Sequence, residues 1–187
     1  MESLDDVLLE ADDKMSKCLT FLHQEFSGLR TGKASPSLVE NVMVPYYGTL
    51  TRLREIGGIS TPEARMIVIN SYDPTALPAI EKAILAANLG VTPKNDGRVI
   101  RIIIPELSEE RRKELVKVAK RMAEEGRVAI RNIRRDANEQ IKSLQKDGKI
   151  TEDERDQGLA QIQKETDSHI AKVDETFAAK DKEVMAV

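Results

Sequence analysis

The sequence predicts an α+β fold: an elongated antiparallel three-helix bundle into which a small β/α/β domain is inserted. Three observations predict it. Apolar residues recur at three- and four-residue spacing in three long stretches, one near the start of the chain and two after residue 107. Between the first and second stretch the period falls to two, and Gly and Pro punctuate the chain. Only 3% of the residues are aromatic and none is Trp, while 33% are charged. That balance suits helices packed by Leu, Ile, Val and Ala better than a sandwich or a barrel.

The first helix starts at Ser3. Ser3 followed by Asp6 is a variant of the capping box, and Leu4, Leu8, Ala11, Met15, Cys18, Leu22, Phe26 and Leu29 form a near-heptad seam behind it. Gly28 and Gly32 mark its end. Cys18 is the only cysteine, so neither an intrachain disulfide nor a cysteine metal cluster is available, and its place in the seam reads as a small buried hydrophobe.

After residue 31 the chain turns to strands. Val42, Val44 and Tyr46 alternate, Tyr47-Gly48-Thr49 reads as a turn, and Leu50 to Leu53 return as a second strand, with Pro45 placing the first at a sheet edge or bulge. Residues 65–70 form a compact apolar strand. Asp73-Pro74-Thr75 opens a helix whose inward face is Ala79, Ile80, Ala83, Ile84 and Ala87, closed by Gly90. Asn95-Asp96-Gly97 is a turn, Val99 to Ile104 a last strand, and Pro105 a stop.

Helical chain resumes at Ser108 and continues to Asp147, roughly 60 Å at 1.5 Å per residue. Leu115, Ala119, Met122, Ala129, Ile133, Ala137, Ile141 and Leu144 form its seam, with one gap centred on Gly126. Lys113, Lys117, Lys120, Arg127, Arg131, Arg134 and Lys142 fall in a separate band, together with Asn138, and Glu124 is the only acid there. A short Asp147-Gly148-Lys149 turn leads to Thr151, which pairs with Glu154 as a capping box. Leu159, Ile162, Thr166, Ile170, Val173, Phe177 and Val184 supply the last seam. No one of these helices can bury its seam alone, so residues 1–29 and 107–187 are expected to form the bundle and 30–106 the insert. The two crossings, at 29–32 and 104–107, are rich in Gly and Pro and read as a hinge.

The net charge of −3 hides a segregation. Residues 107–147 hold 12 basic and 8 acidic side chains, whereas 1–29 hold 2 and 7 and 148–187 hold 6 and 10. A basic stripe on an acidic body reads as directed contact with a polyanion. Guanidinium forks at Arg127, Arg131 and Arg134 would stand about 5–6 Å apart on a rigid helix, near the phosphate repeat of a nucleic-acid strand. The same row also fits a solvated face paired with Glu at i±4, or a stripe that contacts protein in a coiled-coil adaptor. With so few aromatic residues to stack on bases, phosphate and shape recognition would dominate.

No catalytic constellation is visible. There is no Walker loop, Gly57-Gly58 lacks the spacing of a phosphate cradle, and Ser35 and Ser37 have no nearby histidine. His23 and His169 form no paired ligand motif, so no metal site is expected. An enzyme hidden in the insert would need a pocket with converging titratable groups. The N-terminus has no basic n-region and no run approaches the roughly 18 apolar residues of a membrane span, so a signal peptide and a membrane anchor are not expected.

Several stretches, in order and at their spacings, carry a resemblance. They are Leu29-Arg30-Thr31-Gly32-Lys33-Ala34-Ser35-Pro36-Ser37-Leu38, Tyr46-Tyr47-Gly48-Thr49, Ile80-Glu81-Lys82-Ala83-Ile84, Asn95-Asp96-Gly97, 107–115, and above all 127–138, Arg-Val-Ala-Ile-Arg-Asn-Ile-Arg-Arg-Asp-Ala-Asn. Over the whole chain the sequence resembles the bacterial ribosome recycling factors. The resemblance implies an L-shaped, tRNA-like molecule that binds the post-termination 70S ribosome. With elongation factor G and GTP it would split the ribosome into subunits and release mRNA and tRNA. The GTP is used by the partner; no cofactor or catalysis of its own is implied, and a cytoplasmic monomer is expected. Arg131 and Arg134 match the arginines that contact large-subunit rRNA in that family. Arg127, Arg135 and Asn138 join them as RNA-binding candidates on the strength of the stripe and the motif. Arg30, Thr31 and Gly32, with Pro105 and Glu106 on the other crossing, match the interdomain hinge. Lys33 stands where many members carry Arg, which keeps the charge. Gly148 and Gly158 replace more usual Lys or polar residues and are expected to weaken their helices by up to about 1 kcal/mol each.

Overall fold

The structure, a computed structural model, describes residues 3–186. In chain order it contains helix α1 (Leu4–Gly28), a 3-10 turn at Pro36–Leu38, strands β1 (Met43–Tyr46) and β2 (Thr49–Arg52), and the one-turn helix α2 (Leu53–Ile56). Strands β3 (Gly57–Glu63) and β4 (Met66–Ser71) follow, then a second 3-10 turn at Pro74–Ala76 that runs into helix α3 (Leu77–Ala86). Strands β5 (Pro93–Asn95) and β6 (Ile100–Ile103) precede the long helices α4 (Glu109–Lys146) and α5 (Glu152–Met185). The chain divides into two compact units, Met1–Thr31 with Glu109–Val187, and Gly32–Ser108.

In the first unit each of the three long helices packs against both others. Gly158 lies against Leu4 and His169 against Ser16, so α1 and α5 run in the same direction. Arg127 reaches Asp174 and Arg134 reaches Gln163, so α4 runs opposite to α5. Ser3 caps α1 by accepting from the Asp6 backbone N–H at 3.2 Å. Two buried clusters run along the bundle, one built on Met15, Leu22, Phe26, Ala123, Ile130 and Val173 and the other on Val7, Ala11, Ala137, Ile141 and Ile162, with Ile133 packed against both.

Most of the expected seams are buried, but parts of them are displaced by one step. In α4 Leu115, Ala119, Ala137, Ile141 and Leu144 are buried as expected, whereas between them Ala123 and Ile130 are fully buried and Met122, Ala129 and Ile133 only partly. Val7 and Leu19 lie deeper than Leu4, Leu8 and Cys18 in α1, and His169 deeper than Ile170 in α5. A helix that faces two neighbours buries a face wider than a two-helix seam, and the centre of that face lies between the two lines of contact. At the gap in the α4 seam the bare Gly126 faces Leu22, where a Cβ would lie 3.9 Å from Leu22 Cδ2. Cys18 is half buried, and burial pushes its thiol up from the usual range.

The two glycines expected to weaken the bundle tip instead build it. Gly148, at φ +71, follows the end of α4, where Lys149 N–H donates to Leu144 O at 2.9 Å and Gly148 N–H to Gln145 O at 3.0 Å. These are the two bonds of a Schellman cap, which wants a left-handed residue there. Thr151 then starts α5 with a complete capping box: its hydroxyl accepts from Glu154 N–H at 3.2 Å, and the Glu154 carboxylate accepts from Thr151 N–H at 2.7 Å. Gly158 is buried, and a Cβ there would stand 2.7 Å from Leu4 Cδ1 and 3.4 Å from Ile141 Cδ1. Any side chain there must push the tip of Leu4 aside and crowd Ile141. Gly158→Leu should therefore lower the stability of the bundle by about 1–3 kcal/mol despite its better helix propensity. Chemical denaturation followed by circular dichroism checks this, and an unchanged or raised midpoint would return Gly158 to a mere helix weakener.

The second unit has more strand than periodicity alone announces. β1 and β2 form a hairpin whose turn residues Tyr47 and Gly48 have φ +46 and +77, the signature of a type I′ turn. The main sheet is fully antiparallel in the order β3-β4-β6-β5. Ile67 and Ile69 of β4 and Ile100 and Ile102 of β6 are fully buried on one face, packed with Leu77, Ile80 and Ile84 of α3 and with Val44, Leu53 and Ile56. Periodicity missed β3 because it opens on two glycines, contains Pro62 and shifts register between Ser60 and Glu63. As an edge strand it tolerates all three features. A Cβ at Gly57 would come within 3.0 Å of Asn70 O, so that glycine permits the pairing. α3 ends at Ala86, ahead of Gly90, and leaves Ala87 exposed, with Asn88 taking φ +50 just beyond. Asp73 accepts from the Thr75 backbone and hydroxyl and from the Tyr46 and Tyr47 hydroxyls, which ties the hairpin to the start of α3.

Candidate nucleic-acid interface

Helix α4 is 38 residues long, about 57 Å, and presents its arginines on a single continuous element. The structure gives them different partners. Arg127 is mostly covered, with 18% of its side chain exposed; its Nε and Nη2 reach Asp174 Oδ1 at 2.8 and 2.7 Å, and its Nη1 reaches Glu124 Oε2 at 3.0 Å. It therefore clamps α4 to α5. Arg131 is more open, with 41% of its side chain exposed and one contact, Nη1 to Glu124 Oε1 at 3.2 Å. Arg134 is half buried and its Nη1 donates to Gln163 Oε1 at 3.3 Å, while Arg135 is exposed. Asn138 is half buried, and its Oδ1 is turned inward without a hydrogen-bond partner among the described residues.

Hydrogen bonds from Arg127 and then Arg131 hold the Glu124 carboxyl below the usual carboxylate range. Since its folded value is depressed, the stabilisation that the pair provides is present above the unfolded carboxylate range and is lost as pH falls through the depressed value. At neutral pH the face thus carries a closed Glu124–Arg127–Arg131 cluster beside Arg134 and Arg135. Such a face can hold a phosphate backbone through charge-assisted hydrogen bonds, and it offers no aromatic platform for bases.

The chain crossings are held locally on either side. Thr31 Oγ1 donates to Glu183 Oε1 at 2.7 Å within the first unit. Within the second, Arg65 Nη1 lies 2.6 Å from Glu106 Oε1, and Gly32, at φ +79, sits where a Cβ would be 3.2 Å from Leu107 Cγ. Arg30 and Pro105 are exposed.

Asp12, Glu165 and His169 bring donor atoms within 4.8 Å of one another, a grouping across α1 and α5 that sequence spacing does not announce. The His169 ring is buried, with Nδ1 2.8 Å from Glu165 O and Nε2 3.3 Å from the Ser16 hydroxyl. Nδ1–H donates to that carbonyl, while Nε2 faces the Ser16 hydroxyl and, at 3.5 Å, Asp12 Oδ1, so the ring joins α5 to α1. No helix among the described residues is long and apolar enough to cross a membrane.

A family model described as ribosome recycling factor matches residues 22–185. The chain belongs to the ribosome recycling factor family. The ribosome-recycling factor of Carboxydothermus hydrogenoformans is 53% identical over 184 residues, covering 98% of this chain and 100% of that one. That of Bacillus subtilis is 51% identical over 182 residues, 97% and 98% of the two chains. A solution structure of the ribosome recycling factor superposes with a TM-score of 0.79 at 43% identity over the full length of both chains. A second match, with TM-score 0.65 and 44% identity over 98% of this chain and 100% of the other, comes from models of the T. thermophilus ribosome recycling factor and the E. coli elongation factor G bound to the E. coli post-termination complex.

In this chain the arginine row has partners that its own spacing does not announce. Asp174 and Gln163 sit on α5, and no spacing along α4 reveals them. Glu124 was visible as the lone acid of the cationic band, but its bridging of two arginines required coordinates.

Proposed function

We propose that this chain binds the post-termination ribosome through α4 and, with elongation factor G and GTP, splits it into subunits, releasing mRNA and tRNA for another round of translation. The observation that carries the reading is the placement of Arg131, Arg134 and Arg135 along one side of a rigid helix, in a chain of the ribosome recycling factor family. Arg131 and Arg134 contact backbone phosphates of large-subunit rRNA. Arg135 and Asn138 flank them, and Arg127 positions the row from its clamp on Asp174. The factor works as a monomer in the cytoplasm, is not itself a catalyst and holds no cofactor; GTP is hydrolysed by elongation factor G. A related factor occurs with elongation factor G in models of a post-termination complex, which supports the partnership.

Movement of the smaller domain, 30–106, against the bundle of 1–29 and 107–187 converts the push of the GTPase into separation of the subunits. Arg30, Thr31 and Gly32 form one strand of the hinge, and Pro105 and Glu106 the other. Thr31 and Glu106 are each tied down, so the freedom concentrates at Gly32, whose positive φ a proline could not adopt at all. Gly32→Ala is the milder probe: it strains the left-handed backbone by about 1 kcal/mol and crowds Leu107. It should slow splitting several-fold while changing ribosome affinity less than about twofold. Equal losses in both would remove the case for motion.

The test of the function is light scattering of post-termination 70S ribosomes mixed with this protein, elongation factor G and GTP. Scattering should fall only when all three are present. Binding without splitting would reduce the protein to a ribosome-associated factor, and binding that survives RNA removal would favour a protein adaptor.

A further inference from the structure

The cationic band of α4 contains one acid, Glu124, and its position there is unfavourable for any anionic ligand unless it has a task. Its carboxylate lies between two guanidinium groups, with Oε2 3.0 Å from Arg127 Nη1 and Oε1 3.2 Å from Arg131 Nη1. A phosphate diester held by two forks would place its two anionic oxygens in the same way. Arg127 does not depend on Glu124 for its place, because Asp174 grips its Nε and Nη2 from the other side at 2.8 and 2.7 Å. That leaves Nη1 as the prong facing the seat. The Glu124 side chain is 53% exposed, so it can rotate into solvent without a burial penalty.

We propose that Glu124 occupies the seat of an RNA backbone phosphate and is displaced by it, so that this one carboxylate sets how tightly and how reversibly the arginine row holds RNA. The proposal rests on the reading that the row binds rRNA. When phosphate enters, one anion replaces another between the same two forks, so the gain is the difference between two ion pairs rather than a full new one. When phosphate leaves, the carboxylate re-enters and closes the seat. Two bare guanidinium groups would grip any RNA backbone through counterion release alone. The internal carboxylate suppresses that indiscriminate binding and speeds release, both of which suit a factor that must leave after each round.

The experiment titrates fluorescently labelled Glu124→Gln and wild-type protein onto purified 70S ribosomes across a range of KCl concentrations, with Arg131→Ala/Arg134→Ala in parallel. Glu124→Gln keeps the side-chain shape and should tighten binding about three- to tenfold at low salt. It should also steepen the dependence of log Kd on log salt by up to about one unit and slow dissociation. Glu124→Ala should do the same, which separates loss of the charge from any new amide contact. Weaker or unchanged binding by both Glu124 variants, while the double arginine variant loses binding, overturns the proposal and leaves Glu124 as a positioning residue for the forks. A tightening that is equal at every salt concentration also overturns it, since exchange of anions must be salt-sensitive. Full binding by the double arginine variant removes the rRNA reading and the proposal with it.

Discussion

Arg131→Ala/Arg134→Ala should weaken binding to the 70S ribosome by about a hundredfold or more and abolish splitting under conditions where the wild type acts. Each arginine that meets a phosphate contributes a charge-assisted hydrogen bond of about 1.5–3 kcal/mol. The share of Arg131 is reduced by the Glu124 pairing it gives up, but its loss also leaves the Glu124 carboxylate with one cation fewer beside the phosphate. The loss of two therefore still reaches the roughly 2.7 kcal/mol that a hundredfold change requires. The salt dependence of binding should flatten by about one unit for each phosphate contact removed. Neither side chain holds the fold in a way that competes with this. Among the described residues Arg131 pairs with Glu124 and Arg134 donates to Gln163 on α5, both partly exposed, and such pairs add about 1 kcal/mol or less. Helicity and melting temperature should therefore stay near wild type. Arg127→Ala is the contrasting control. Its fork spans from α4 to Asp174 on α5 and is mostly covered, so its removal should act first on stability, and on RNA both by loosening the row and by removing the Nη1 prong that faces Glu124. Ribosome titration with circular dichroism on the same samples checks both statements. A loss of helicity in the double variant matching the loss of binding would make those arginines structural.

Ile130→Ala should lower the stability of the helical bundle by about 2–5 kcal/mol. Ile130 is fully buried among Met15, Leu22, Phe26 and Val173, where α1, α4 and α5 meet, so its truncation removes contacts from all three helices. For a chain of this size the melting temperature should fall by about 2–4 °C for each kcal/mol lost. Met122→Ala, on the line that periodicity favoured, should have a smaller effect because that side chain is only partly buried. Denaturant melts of the two variants decide between the two faces. A larger loss for Met122→Ala would move the centre of the α4 face back to the expected line.

Much of this protein was legible without coordinates. The α+β class, the three long helices, the β1–β2 hairpin with its Tyr47-Gly48 turn, and the capping box at Thr151 all follow from local rules, in which a residue's neighbours along the chain decide its geometry. The edge strand β3 was not legible, because Gly57, Gly58 and Pro62 look like loop until the strand beside them supplies the hydrogen bonds. Nor were the tasks of Gly148 and Gly158. A helix-propensity scale assigns each a cost, whereas the structure gives one a left-handed cap and the other a close contact with Leu4.

The sequence by itself determined the three long helices, which side of each is apolar, and which side of α4 is basic, because a period of 3.6 residues sorts side chains by direction to within a broad sector. Only the tertiary structure decided which residue in that sector lies deepest, Ile130 before Ala129 and His169 before Ile170, because a helix between two neighbours buries the middle of a wide face. It also decided how each arginine is engaged: Arg127 is clamped by Asp174, Arg131 shares Glu124 with it, and Arg134 leans on Gln163. Such pairings join residues on different helices, and spacing along one helix carries no information about what the next helix places opposite it.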